Sequence, residues 1–276
     1  MTGKLMKYEL RSMLRTFLPL WGAILVVALL NRCTLQIESL RDWLGGVPAI
    51  LMMVLYVIAI IAIAIVALVF MIQRFYNGML KDEGYLMFTL PVKTSQLIWG
   101  KCLSATILTF VTSLFCLLSV AILVVNNDLI HEMQELFSSF NATVMYYSNG
   151  LEIPAGFMPQ AILLMLVLGV VCIIAEILHA YLAMAIGQLA GKHKAGISVL
   201  AYILISMALS TIGTSFISSN GFGLGNLLEN VNLLEDVSMT GGLWLFFGFN
   251  ILVAALQVVI FYFPTNALLK NKLNLE

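Results

Sequence analysis

Residues 47–72 form a long apolar run that contains no charged side chain. As an α-helix this run would be about 39 Å long, which exceeds the roughly 30 Å thickness of the hydrocarbon core of a bilayer. A helix that is apolar on every side is found in the core of a large protein or across a membrane. The run is therefore predicted to span a membrane, with some tilt or protrusion.

Five further apolar stretches are long enough, or nearly long enough, to cross a bilayer. They cover residues 17–30, 102–125, 158–189, 197–217 and 243–263. The composition agrees, because 61% of the 276 residues are hydrophobic and 10% are charged, whereas soluble domains carry about 25% charged residues. We predict an all-α, polytopic membrane protein with six transmembrane helices. This class excludes soluble enzymes, free nucleic-acid binders and disordered linkers.

Basic residues indicate the orientation of the spans, since Lys and Arg collect in the cytoplasmic loops of membrane proteins. With the N-terminus in the cytoplasm, only two of the 14 basic residues, Arg32 and Arg41, fall in outer segments. The inner ones are Lys4, Lys7, Arg11, Arg15, Arg74, Lys81, Lys93, Lys101, Lys192, Lys194, Lys270 and Lys272. Both termini are therefore predicted to be cytoplasmic, and residues 126–157 and 219–240 to be extracellular.

An amphipathic pattern over residues 4–17 precedes the first span. Its apolar residues recur at helical spacing and are Met6, Leu10, Met13 and Phe17. Its cations occupy another face and are Lys4, Lys7, Arg11 and Arg15. A basic amphipathic helix of this kind lies in the inner interface of the membrane, with its cations near anionic lipid head groups.

The segment between the second and third spans, residues 73–101, is cytoplasmic by the charge argument and too long for a simple turn. A short apolar and aromatic piece within it stops at Pro91, whose ring disfavours a helical residue before it. Thr94 or Ser95 can cap a new helix that continues through Lys101 into the third span. The pattern predicts a short cytoplasmic helix joined rigidly to a transmembrane helix, a shape suited to passing force from a soluble partner into the membrane.

The residues of this segment resemble the cytoplasmic loop of permease subunits from type-two ATP-binding-cassette (ABC) exporters, in the branch found in Gram-positive bacteria. The matching residues are Asp82, Glu83, Gly84, Leu90, Pro91, Val92 and Lys93, followed by Gly100 and Lys101 at the start of a span. The stretch 186–189, followed by residues 192–194, looks like the same branch.

This resemblance implies a single permease domain, residues 1–276, of an ABC transporter in a bacterial cell membrane. The substrate of such an exporter would be hydrophobic or amphipathic: a peptide, an antibiotic or a lipid. Residues 1–16 would be the connecting helix and 73–101 the coupling loop. The residues that would couple to the ATPase are Lys81, Asp82, Glu83, Gly84 and Tyr85.

The partners implied are two cassette ATPase subunits and a second permease, which is either the same chain or a related one. ATP and Mg would be bound by the ATPase subunits, so the chain itself would hold no cofactor and would not be an enzyme. The sequence agrees, because residues 187–193 lack the spacer and the final Ser or Thr of a phosphate-binding loop. Nucleic acid is not an expected partner, since acidic and basic residues cancel.

Glu176 and His179 lie three residues apart in the fourth predicted span, so they share a helix face. A charged carboxylate at bilayer depth costs about 2.5–3.5 kcal/mol, which favours a position facing protein or a cavity. Two interpretations stay open: a structural pair, with Glu176 neutral or bonded to His179 or Tyr181, and a role in the substrate pathway or in gating. A metal site is disfavoured, because no other predicted span contains Asp or Glu to complete a ligand set.

Two other functional classes are weighed against the exporter. An ion-coupled secondary carrier commonly shows internal repeats, and no convincing repeat is present. An intramembrane enzyme using Glu176 and His179 lacks a third polar group from another span. Both stay as alternatives.

Overall fold

A computed structural model of the chain describes residues 2–36, 47–80, 94–124, 157–190, 193–218 and 239–271. Over these residues it is all-helical. In chain order the helices are α1 (Thr2–Gln36), α2 (Val47–Met79), α3 (Thr94–Val124), α4 (Phe157–Gln188), α5 (Lys194–Ser218) and α6 (Met239–Asn271). Within the part of the chain described, all six are long and apolar enough to cross a membrane. The predicted fold class, six apolar helices in a multi-pass membrane protein, is confirmed.

The first helix is longer than the predicted span. It runs without a break from Thr2 to Gln36 and includes Pro19, so the apolar stretch able to cross a membrane extends over Met6–Thr34 instead of 17–30. The physical reason is that Met13 and Phe17, on the apolar face of the amphipathic pattern, are buried against neighbouring helices. The interfacial position of residues 1–16 stays a prediction.

Helix covers both ends of the predicted cytoplasmic segment 73–101. The second helix continues to Met79, and the third begins at Thr94, where a capping residue was predicted. Residues 81–93 lie outside the described part, as do most of the two predicted extracellular segments.

The helices belong to two compact units. Unit 1 consists of α1, α2 up to Phe75 and α3 from Gln96 onward. Unit 2 consists of the last turn of α2, the first residues of α3, and α4, α5 and α6.

Two apolar clusters hold unit 1 together. In the first, Met13, Phe17 and Trp21 of α1 pack with Ala67 of α2 and Leu108 of α3. The second combines residues of α1 and α2 and contains Ile24, Ala28, Tyr56 and Ile63. The first helix is therefore the one against which the other two pack.

Polar side chains cross between the helices of unit 1 at several levels. The contacts are Trp21 Nε1 to Thr112 Oγ1 (3.2 Å), Tyr56 OH with Ser119 Oγ (2.9 Å), Asn31 Nδ2 to the Met52 carbonyl (3.0 Å) and Arg32 Nη1 to the Ile122 carbonyl (2.7 Å). In membrane proteins such bonds contribute about 0.6 kcal/mol each. Their order along the chain shows that α1 runs antiparallel to α2 and parallel to α3.

In unit 2, α4 packs against both α5 and α6. The end of α4 approaches the start of α5 closely at Gly187. A Cβ atom there would lie 2.8 Å from the Lys194 carbonyl oxygen and would overlap the Ser198 hydroxyl. The chain turns between the helices through His193, whose φ of 59° is in the left-handed region. The absence of a side chain at position 187 therefore permits this tight helical hairpin.

Candidate functional site

The five residues predicted to couple to an ATPase, Lys81 to Tyr85, lie outside the described residues. The helices on either side of them, α2 and α3, are described, and each carries one cation of a three-charge cluster. The carboxylate of Glu9 in α1 is bonded to Arg74 near the end of α2 and to Lys101 near the start of α3. We call these three residues the Glu9 cluster.

Both cations of the Glu9 cluster form hydrogen bonds with the carboxylate. Arg74 Nε donates to Glu9 Oε2 at 2.6 Å, and Lys101 Nζ donates to Glu9 Oε1 at 3.0 Å. Arg74 also donates from Nη1 to the Ser12 hydroxyl at 3.1 Å. Each carboxylate oxygen thus has its own cationic donor, and one acidic residue connects three helices of unit 1.

The cluster is largely removed from solvent. The side chains of Lys101 and Glu9 are 3% and 7% exposed, whereas that of Arg74 is 33% exposed. A buried ion pair gains little net stability over an apolar replacement, but loss of one partner leaves an uncompensated buried charge. Loss of the Glu9 carboxylate would therefore cost more at Lys101, which is buried, than at Arg74, which is partly exposed to solvent.

Glu9 was missed in the sequence as a functional candidate. The prediction that only the fourth span contains an acidic residue was wrong. The apolar stretch of α1 extends to Met6 and therefore includes Glu9. A signal was present: Glu9 lies three residues after Met6 and four before Met13, on the apolar face of the amphipathic pattern. Its partners are 65 and 92 residues away, and no local pattern identifies them.

The second candidate site surrounds His179 in unit 2. The imidazole of His179 lies between two rings: its centroid is 4.3 Å from that of Tyr202 in α5 and 5.0 Å from that of Phe261 in α6, with interplanar angles of 15° and 18°. The side chain is 3% exposed. His179 Nε2 has no hydrogen-bond partner among the residues described. The stack fixes the imidazole in one orientation across three helices.

Glu176 lies beside this stack. Its Oε2 is 3.7 Å from His179 Nδ1, and the Tyr202 hydroxyl donates to the same oxygen at 3.5 Å. The pairing with His179 was expected, whereas the contact with Tyr202 was not. The Glu176 side chain is 71% exposed, and its predicted position facing protein or a cavity stays a prediction. The site therefore combines a fixed imidazole with an accessible carboxylate.

In the described ranges, no three His, Cys, Asp or Glu side chains come together in a way that could hold a metal ion.

Comparison with known proteins found no matching family model, no matching curated protein and no matching solved structure.

Proposed function

We propose that the chain is the membrane-spanning permease subunit of an ABC exporter, of the type-two branch found in Gram-positive bacteria. Its six helices that are long and apolar enough to cross a membrane support the transporter class, and the residues between α2 and α3 support the ABC type by their resemblance. In this proposal two cassette ATPase subunits bind ATP and Mg, and a second permease, the same chain or a related one, completes the complex in the bacterial cell membrane. The substrate is hydrophobic or amphipathic.

The Glu9 cluster is the observation that carries the proposal. Arg74 and Lys101 stand on the two helices that enter and leave the predicted coupling loop, and Glu9 joins both to α1. A push on the loop would therefore be shared by three helices, because the charges resist separation in a site with little solvent. This is the mechanical property that a permease driven by an external ATPase requires.

Each residue of the loop has a role in this proposal. Lys81, Asp82 and Glu83 dock on the ATPase, and Gly84 permits the turn that leads to Tyr85. Closure of the ATPase on ATP displaces the loop. The displacement passes through the helix that begins at Thr94 and switches access from the inner to the outer side.

The proposal is tested by co-expression of the chain with cassette ATPase subunits of the same organism, followed by purification. We expect the two to co-purify, and the double variant Asp82→Lys/Glu83→Lys to lose stimulation of ATP hydrolysis while it still inserts into the membrane. The matched control is Asp128→Lys/Glu132→Lys, an equal charge reversal in the predicted extracellular segment, which should leave stimulation unchanged. Unchanged stimulation in the Asp82/Glu83 variant would contradict the assigned docking residues.

An ion-coupled secondary carrier is the second candidate, and the accessible carboxylate of Glu176 is the observation that favours it. The two candidates differ in their energy source. Uptake into proteoliposomes that contain the chain alone, driven by a proton or sodium gradient, would support the carrier. Transport that requires both the ATPase and ATP would support the exporter.

A further inference from the structure

Glu176 lies deep within the candidate span Pro159–Gln188. It precedes Gln188 by 12 residues, which corresponds to about 18 Å along the helix. The hydrocarbon core is about 30 Å thick. The carboxylate is therefore near the middle of the bilayer if α4 crosses it.

Apart from His179, whose Nδ1 is 3.7 Å from its Oε2, Glu176 has no basic neighbour within the described part of the chain. Its polar contacts there are the Tyr202 hydroxyl and His179 Nδ1, and neither Lys nor Arg reaches it. The side chain is also mostly exposed, so the described residues do not cover it. An exposed carboxylate at this depth is costly, and a ligand that brings a positive charge would remove the cost.

The surroundings of the carboxylate suit a cation with an apolar body. Tyr202 is 36% exposed, and aromatic rings attract cations. On α4 the face that carries Glu176 continues through Gly169 to Met165 and Ile162, which are seven, 11 and 14 residues before it. Met165 and Ile162 are 68% and 59% exposed, and nothing lies within 4 Å of where a Cβ at Gly169 would be. An apolar strip thus leads to a single negative group.

We propose that Glu176 and Tyr202 bind the positive group of an amphipathic or lipophilic cation, whose apolar part lies along this strip of α4. His179, held between Tyr202 and Phe261, positions the Tyr202 ring and the carboxylate. That this cation is the transported substrate rests on the proposed exporter function. The binding itself does not, since it needs only this chain.

The test uses two ions of nearly the same shape and opposite charge, tetraphenylphosphonium and tetraphenylborate. Binding of each is measured by equilibrium dialysis with the purified chain in nanodiscs of zwitterionic phosphatidylcholine, and empty nanodiscs give the background. We expect saturable binding of tetraphenylphosphonium, at least tenfold weaker in Glu176→Gln and a few-fold weaker in Tyr202→Leu, which lacks the aromatic ring. Tetraphenylborate should not bind above background.

Two further variants control for folding and position. Glu176→Asp keeps the charge and should retain the preference for the cation, and Glu132→Gln removes an acid from the predicted extracellular segment and should bind as the wild type does. Cation binding that is equal in Glu176→Gln and the wild type would overturn the proposal. Equal binding of both ions, or of neither, would also overturn it. Failure of the chain to associate with an ATPase would contradict the exporter and leave the binding result standing.

Discussion

Replacement of Glu9 by Gln tests whether the Glu9 cluster holds unit 1 together. Glutamine has nearly the same volume and keeps one acceptor oxygen, but it removes the negative charge between Arg74 and Lys101. Lys101 is then a buried cation, 3% exposed, without a counter-ion in the cluster. Removal of one partner from a buried pair costs about 3–5 kcal/mol. Arg74 is one-third exposed and adds little, since pairs near solvent contribute about 0–1 kcal/mol. We expect a loss of about 3 kcal/mol.

The loss is measured by reversible unfolding in mixed micelles, with the wild type and Arg11→Gln in parallel. Arg11 is an exposed cation on the same helix, and its replacement should change the free energy of unfolding by no more than about 0.5 kcal/mol. A second variant, Glu9→Gln/Lys101→Met, removes both buried charges of one pair. It should be more stable than Glu9→Gln alone, because no buried charge is then left without its partner.

Two results would refute this reasoning. If Glu9→Gln were as stable as Arg11→Gln, the buried pair would not contribute to unit 1. If the double variant were no more stable than Glu9→Gln alone, Glu9 and Lys101 would not be coupled, since residues in direct contact show interaction energies of about 0.5–3 kcal/mol.

The remaining predictions concern the packing at Gly187 and the interhelical hydrogen bond of Tyr56. Gly187→Ala should destabilise the chain by about 1–3 kcal/mol, as for other overpacked sites, because the new Cβ would overlap the Ser198 hydroxyl. The control is Gly169→Ala, which lies in open space on the same helix. It should be neutral or should stabilise the chain by up to about 1 kcal/mol. Equal thermal midpoints for the two variants would contradict the close approach. Tyr56→Phe removes the bond to Ser119 and should cost about 0.6 kcal/mol in unfolding measurements, so a gain in stability would argue against that bond.

The helices were predictable because their causes are local. Uncharged runs such as 47–72 identify a span without knowledge of its neighbours, and Thr94 or Ser95 indicates a helix start because either side chain can cap a first turn. The limits of α1 were not predictable from hydropathy alone. Its first turns are polar on average, and they belong to the same helix because Met13 and Phe17 find partners on α2 and α3.

The two candidate sites depend on contacts that sequence patterns do not contain. The depth of Glu176 could be predicted from its place in an apolar run, but its exposure could not, since that depends on which face of α4 meets α5 and α6. The rings around His179 come from residues 202 and 261, on two other helices. The cations that bind Glu9 are likewise far along the chain. The one local sign that Glu9 is buried was its position on the apolar face of the amphipathic pattern.

At the end of unit 1 opposite the Glu9 cluster, Asn31 and Arg32 donate to the main-chain oxygens of residues 52 and 122. Every amino acid supplies such a main-chain oxygen. These two hydrogen bonds therefore require the side chains of Asn31 and Arg32 but no particular side chain at positions 52 and 122. Met52 and Ile122 can accordingly be exchanged for cysteine with these bonds intact. A pair of spin labels attached there, in a chain whose native cysteines such as Cys33 and Cys172 are replaced, would report the distance between α2 and α3.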